Sequence, residues 1–449
     1  MDKHSLISLE SRENKTCTYN IIDGLQMNIT ITENPYDLNP DSLFQMAARI
    51  NKKRGFLFVS KVLGKHIPVQ PATALAVGAL LADRYIHLHH QRNHPLRNAL
   101  IQSVNSGIGD PSLLPKLKET KLELPERTLF IGFAETATAL GHSMFNCFQN
   151  AVYFHTTREE ISYMDSVINF EEEHSHATSH RCYIKPSIVE NNHPVVLVDD
   201  EMTTGKTALN IIESIHELHP RKHYTVVSIL DWRSRAQKEK FREMEKKLGI
   251  EITEVSLLSG EIVPEGYPVH KNEEVEMYNE GRGTVQYHAI PSPSLHNINI
   301  NEGIPFLSQS GRFGITSDET SALENYLSEI GDFLKGRRKG TRTLCMGTGE
   351  FMYIPMGAAA EMGKGVFFQS TTRSPIYPHK TELYGAKSRY TFDSIETPGV
   401  VNYFYNVEKG QYDEVFLFIE RGMQPQALES WLKHARNLFS FVHIVPFSK

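Results

Sequence analysis

The segment Val195-Val196-Leu197-Val198-Asp199-Asp200-Glu201-Met202-Thr203-Thr204-Gly205-Lys206-Thr207 sets two carboxylates after four apolar residues and follows them with a loop rich in hydroxyls. The apolar run predicts a buried strand, and Ala208, Ile211, Ile212, Ile215 and Leu218 predict an amphipathic helix opening after the loop. In an open α/β sheet, ligands bind at the carboxyl ends of the strands. A loop that opens a helix can wrap a phosphate with backbone N–H groups, and Gly205 lets the backbone approach closely. The G-x-x-x-x-G-K-T phosphate loop is excluded, because its first glycine would fall at position 200, which is Asp. Two acids do not help to hold a triphosphate tail, but they accept hydrogen bonds from vicinal hydroxyls and can hold a metal-bound ligand. The combination suggests a sugar phosphate, a ribose bearing a 5-phosphate.

The elements that must position this loop lie on either side. Thr128–Gly132 predicts a strand, Ala137–Phe148 a helix, Val152–Phe154 a strand, Lys206–Leu218 a helix, Tyr224–Leu230 a strand and Ala236–Leu248 a helix. Such alternation implies an α/β sheet of parallel strands with helical crossovers. Upstream, residues 1–70 carry short alternating segments, and the small apolar run from Ala72 to Ala82 predicts a buried helix. Downstream, Thr343–Gly347, Val366–Gln369, Glu414–Ile419 and Phe441–Val445 predict the strands of a second α/β unit, with helices near Phe351–Met362 and Gln424–Leu438. Between the units, Pro291-Ser292-Pro293-Ser294 and several glycines mark residues 271–342 as an irregular passage. Laid without gaps over Thr343–Arg373, Thr128–Arg158 matches it at Thr128, Leu129, Gly132, Glu135 and Thr156-Thr157-Arg158, which points to a diverged duplication.

Composition narrows the partners. The 449 residues are 40% hydrophobic and 22% charged, values of an ordinary globular chain rather than a disordered or collagen-like one. A formal charge of −6 without a long Lys/Arg run argues against nucleic acid. Four scattered cysteines make neither a disulfide framework nor a thiolate zinc site, and a reducing cytoplasm fits them. The longest apolar run, Ala74 to Ala82, is half a membrane span, and no apolar signal core follows Met1. The expectation is a small-molecule protein of the cytoplasm, away from the membrane.

All thirteen residues of the acidic segment resemble the phosphoribosyl pyrophosphate (PRPP) binding motif of type I phosphoribosyltransferases. The resemblance implies that Asp199 and Asp200 bind the ribose hydroxyls of Mg-PRPP, and through it Mg2+, while Thr203, Thr204, Gly205, Lys206 and Thr207 cradle the 5-phosphate. It implies a pyrophosphate turn containing Ala134, Glu135 and Thr136, and a mobile loop after Phe154 in which His174, His176, His180 and Arg181 are candidates for contacting pyrophosphate. A zinc cluster and a plain surface loop remain alternatives for that His-rich run. With Asn51–Val69 and Thr372-Arg373-Ser374-Pro375, nearly the whole chain resembles the bacterial phosphoribosyltransferase that carries a C-terminal TRSP domain, a family associated with tellurite-resistance and stress-response gene clusters.

The implied fold is a type I phosphoribosyltransferase-like parallel sheet with a hood, followed by a smaller, Rossmann-like α/β domain. Its bounds are 1–270 for the first domain, with the hood drawn from 1–70 and 259–270, and 343–449 for the second. The implied activity is Mg-dependent transfer from PRPP to a nitrogen of a base-like acceptor, releasing pyrophosphate. A PRPP-binding sensor and phosphorolytic cleavage of a nucleotide-like molecule stay open. Lys61 and Lys65, with Arg54, are candidates for meeting an anionic acceptor from the hood, with solvated basic residues on strand edges as the alternative, and a homodimer is compatible because type I enzymes commonly dimerise. In the second unit, Val415–Glu420 stands where the acid-pair strand would, keeping one acid and no Thr-Gly loop, so this unit is expected not to bind PRPP. Glu350, Thr372, Arg373 and Ser374 are expected to form a cleft of their own, with Arg373 on an anion.

Overall fold

A computed structural model describes residues 15–50, 55–171, 179–270, 281–291, 297–298 and 306–447. The first half runs β1 (Lys15–Ile22), β2 (Leu25–Glu33), β3 (Phe44–Ala48), β4 (Phe56–Ser60), α1 (Pro71–His90), β5 (Leu122–Gly132), α2 (Ala137–Phe145), β6 (Phe148–His155), β7 (Val195–Met202), α3 (Lys206–Leu218), β8 (His223–Asp231), α4 (Arg235–Leu248) and β9 (Glu251–Gly266). The second half runs β10 (Thr284–Tyr287), β11 (Ile315–Thr316), α5 (Thr320–Lys335), β12 (Thr343–Gly347), α6 (Tyr353–Glu361), β13 (Val366–Ser370), β14 (Arg389–Asp393), β15 (Val401–Tyr405), β16 (Glu414–Ile419), α7 (Pro425–Leu438) and β17 (Phe441–Pro446).

Two sheets organise these elements. The larger has the order β1-β2-β9-β8-β7-β5-β6-β11, with β9 through β6 mutually parallel and antiparallel strands at both edges. The smaller, β10-β17-β16-β12-β13, is parallel throughout. Both sheets contain one strand order, β8-β7-β5-β6 in the first and β17-β16-β12-β13 in the second, as a duplication requires. Ladder register makes the correspondence residue by residue. Leu129 lies opposite Val195 in the first sheet, and Leu344 lies opposite Val415 in the second, so Asp200 corresponds to Glu420. Gly132 and Gly347 close the equivalent strands, and in both places an added Cβ would strike the backbone of the turn that follows, Ala137 O at 2.7 Å and Phe351 O at 2.2 Å.

Local chemistry accounts for these elements. Val195–Val198 are buried on both faces, as a central parallel strand must be. A reciprocal capping box between Ser234 and Gln237 starts α4, Gly249 in the left-handed region ends it, and Pro425 opens α7. The long helix α1 extends beyond the expected Ala72–Ala82 to His90, ending where Gln91 turns left-handed. The stretch 271–342 is not irregular throughout. It contains α5, whose Leu323, Tyr326, Leu327, Ile330 and Leu334 form a buried stripe, and it lends β11 to the first sheet and β10 to the second.

The halves share one apolar core. Leu140 and Met144 of α2 belong to the same cluster as Met356 and Ala359 of α6, and the rings of His142 and Tyr353 stack with centroids 3.6 Å apart. The hairpin β3–β4 leans on the second half through bridges Met46–Tyr384 and Arg49–Ile376 and through Ala48 N–H donating to the Tyr384 hydroxyl at 2.7 Å. No helix among the described residues is long and apolar enough to cross a membrane.

Candidate active site

A cavity of about 680 Å³ opens at the carboxyl edge of the first sheet, the size of a small-molecule site. Three consecutive acids at the end of β7, Asp199, Asp200 and Glu201, line its floor, and Thr203, Thr204, Gly205 and Thr207 continue the wall into α3. Gly205 takes φ +70° as the N-cap, and a Cβ there would meet the Phe241 ring at 2.6 Å and Arg233 Cδ at 2.9 Å. Only glycine lets the loop sit down on α4. Lys206 N–H donates to Thr204 Oγ1 at 3.3 Å, so loop hydroxyl and helix start hold one another. The turn after β5, Phe133, Ala134, Glu135 and Thr136, lines the same cavity, and the Ala134–Glu135 peptide is cis. Ile50, Leu57 and Phe58 of the N-terminal hairpin form an apolar wall, with Phe58 stacked on Trp232 at 5.2 Å.

The electrostatics of this floor are those of a cation-seeking site. Burial pushes the Asp200 carboxyl up to about 6, and the adjacent Glu201 carboxylate adds to the shift. Asp200 N–H donates to Asp199 Oδ1 at 2.9 Å, which fixes the orientation of the first acid. A divalent cation shared with a ligand's oxygens would relieve this crowding, so the donor set fits Mg2+. No group of three His, Cys, Asp or Glu among the described residues could hold a metal by itself.

Other expected residues fall elsewhere. Lys65 is buried, not facing an acceptor. Its Nζ lies 3.3 Å from Glu135 and donates to Gly349 O, Ser370 Oγ and Thr371 O, tying the halves together. Lys61 donates to Asp41 O at 2.6 Å, and neither lysine lines the cavity. Burial of a lysine ammonium is costly, and Lys65 is accordingly lowered from the usual lysine range by burial, against the pull of Glu135. The side chain of Glu135 does not face the cavity freely either. It accepts from Thr372 Oγ1 at 2.8 Å, and Lys65, Arg158 and Arg373 outweigh the effect of burial and hold the carboxyl below its usual range. Lys206 does not line the cavity, and Arg181 reaches Glu160 at 3.4 Å instead of it. His180 does line it, bonded through Nδ1 to Thr156 Oγ1 at 2.9 Å. His174, His176 and Arg54 lie outside the described residues.

Comparison with known proteins now bears on the chain. A family model described as phosphoribosyl transferase matches residues 43–261, and one described as the TRSP domain C-terminal to it matches residues 309–435. The chain belongs to the phosphoribosyltransferase family that carries a C-terminal TRSP domain. No curated protein matches it. Among solved structures it resembles adenine phosphoribosyl transferase from Trypanosoma brucei in complex with AMP, pyrophosphate and ribose-5-phosphate, at 12% identity over 51% of this chain and 82% of that one, with TM-score 0.31. It also resembles the Giardia lamblia enzyme complexed with 9-deazaadenine, at 16% identity over 50% and 98% of the chains, with TM-score 0.29.

The TRSP domain has a carboxyl edge of its own, and it is filled. Its cavity measures about 20 Å³, room for about one water, so the expected separate anion cleft is absent there. Glu420, the counterpart of Asp200, is clamped by Arg312 Nη1 at 2.9 Å to both carboxylate oxygens. Arg312 also reaches Glu350 at 3.5 Å, and Arg421 pairs with Glu159 at 2.8 Å. Arg373 pairs with Glu159 as well. Contacts between the domains are reciprocal. Glu135 of the transferase domain accepts from Thr372, while its counterpart Glu350 accepts from Thr157 Oγ1 at 2.5 Å and Arg158 N–H at 2.8 Å. Glu350 and Arg373 line this small cavity, while Thr372, Ser374 and Pro375, and Arg373 again, line the large one of the transferase domain. Sequence reasoning missed Arg312 and Glu159, which sit in no motif. The signal available for the clamp was the ungapped match of Glu135 with Glu350.

Proposed function

We propose that the large cavity binds PRPP with Mg2+ and transfers its phosphoribosyl group to a nitrogen of a base-like acceptor, releasing pyrophosphate. The observation that carries this reading is the convergence of three parts on one cavity: the acids ending β7, the loop opening α3, and the turn after β5. In this reading Asp199 and Asp200 accept hydrogen bonds from the ribose hydroxyls, and the Thr203–Thr207 backbone and hydroxyls hold the 5-phosphate at the positive end of α3. The Ala134–Thr136 turn meets the pyrophosphate. Asp199 and Asp200 would hold Mg2+ together with the bound PRPP, and the metal would supply charge neutralisation for the leaving pyrophosphate.

As the bond from the anomeric carbon to pyrophosphate breaks, positive charge develops on the ribose ring, close to the Asp199 and Asp200 carboxylates. Fixed carboxylates stabilise that charge without reorganising, and the anchored phosphate holds the anomeric carbon in place. The acceptor enters against Ile50, Leu57 and Phe58, a wall suited to a flat ring. A nucleotide-like product made in the cytoplasm and linked to tellurite resistance or stress response completes the proposal. The test is pyrophosphate release from Mg-PRPP across a panel of bases and amines. Release with at least one acceptor supports transfer; PRPP binding without release from any acceptor contradicts it.

A further inference from the structure

The Thr372-Arg373-Ser374-Pro375 loop belongs to the second domain in sequence and to the first domain's cavity in space. It leaves the carboxyl end of β13, the strand that corresponds to β6, so Arg373 is the counterpart of Arg158 in the duplicated register. Both arginines line the large cavity. They approach it from opposite domains, beside the turn that holds Ala134 and Glu135. We infer that Arg373 is a pyrophosphate-binding residue of the transferase site, supplied by the TRSP domain. The inference rests on the PRPP reading of that cavity.

Three observations carry it. First, the loop is fixed on the turn itself, because Thr372 Oγ1 donates to Glu135 at 2.8 Å. Second, its far side is pinned to the domain behind it. Thr372 exchanges backbone hydrogen bonds with Tyr403 at 2.9 and 2.7 Å, and the Tyr405 hydroxyl donates to Ser374 O at 2.7 Å. An arginine on so well-held a loop is presented in a defined position. Third, the charge is needed. The Glu135 carboxylate at this end of the cavity is repulsive to pyrophosphate, and Lys65, which pairs with it, is buried and does not line the cavity. The ion pair described for Arg373 runs through Nη2 to Glu159, and a guanidinium has five donors in a planar fork. It can keep Glu159 and still offer an edge to a phosphoryl group. Glu159 then acts as the positioning residue that aims Arg373.

Calorimetric titration of the full chain with pyrophosphate in Mg2+ and, separately, with ribose 5-phosphate tests this. For Arg373→Gln the expectation is a loss of about tenfold or more in pyrophosphate affinity with ribose 5-phosphate affinity unchanged, and partial recovery in Arg373→Lys. Arg421→Gln, which also removes a partner of Glu159 but does not line the large cavity, should leave pyrophosphate affinity unchanged. Undiminished pyrophosphate binding by Arg373→Gln overturns the inference. So does an equal loss of both ligands, or a loss matched by Arg421→Gln, since either would make the loop a structural support only. If the wild type binds neither ligand, the PRPP reading itself falls.

Discussion

Two carboxyl edges, built on one strand order in one chain, have opposite electrostatic characters. At the transferase edge the acids are crowded against one another, and Asp200 responds with a carboxyl raised by burial and by Glu201. At the TRSP edge the corresponding acid, Glu420, has its cation built in, and Arg312 binds it while also reaching Glu350. Burial would raise Glu350, but Arg312, His155 and Thr157 outweigh it and hold the carboxyl well below the usual range. The first edge leaves about 680 Å³ open and the second about 20 Å³. An acidic edge thus becomes an interface when arginines from the chain pair with its acids. The difference teaches that charge supply, not strand order, separates an open edge from a packing edge.

The comparison can be broken most forcefully at the clamp. Arg312→Gln leaves Glu420 and Glu350 buried without their shared cation and should cost about 3–5 kcal/mol in denaturant unfolding. Asp200→Asn, measured the same way, should leave stability unchanged or higher, because it removes a crowded charge. A small loss for Arg312→Gln would mean that the second edge is not held by its ion pairs. The next effect is on chemistry. Asp199→Asn should lower pyrophosphate release from Mg-PRPP by roughly tenfold to a hundredfold, the cost of losing a charged hydrogen-bond partner, whereas Glu420→Gln should change the rate per folded molecule little. Equal losses would erase the distinction between the edges.

Two smaller effects sharpen it. Gly205→Ala forces a residue with φ +70° and a Cβ 2.6 Å from the Phe241 ring, so it should destabilise by about 1–3 kcal/mol and weaken binding of the 5-phosphate more than that of pyrophosphate. Acid titration gives the last. Glu350 has a native pKa below its ordinary 4.5, so its contribution is complete above 4.5 and is lost as pH falls through the native value. Asp200 has the reverse sign, its native carboxyl taking up a proton near 6, before the unfolded one does, so protonation there does not destabilise. His66, His142 and His155 are held neutral by burial and take up protons only on unfolding, so the melting temperature itself falls as pH drops below about 6.5. The difference in melting temperature between wild type and Glu350→Gln isolates the acid, and it should hold from pH 7 to about 5 and shrink below about 4.5. A difference that shrinks near pH 6 would contradict the assignment of Glu350 as a stabilising acid of the TRSP edge.

Much of the first edge was legible in sequence because local chemistry dictates it. Four apolar residues, two acids and a Thr-Gly loop specify a strand, its end and a helix start within one segment, and α3 has the bounds its periodicity predicts. β12 and β16 were equally plain. The helix α5 carried a readable apolar stripe, obscured by the glycines and prolines around it. Long-range charge pairing left no such trace. Lys65 and Arg312 look like surface residues to any periodicity argument, yet both are buried, each paired with a carboxylate far away in sequence. The TRSP motif was visible as a motif, but its place in the transferase cavity depends on how two domains pack, which no local pattern encodes.

The central claim is that one edge of this molecule binds PRPP and the other has been closed by its own arginines. Counting sites by calorimetry with PRPP and Mg2+ tests it directly, on the wild type and on the Asp199→Asn, Asp200→Asn double variant. The account predicts one PRPP per wild-type chain and none at the same concentrations for the double variant. Two per chain, or one that survives the double substitution, would contradict it.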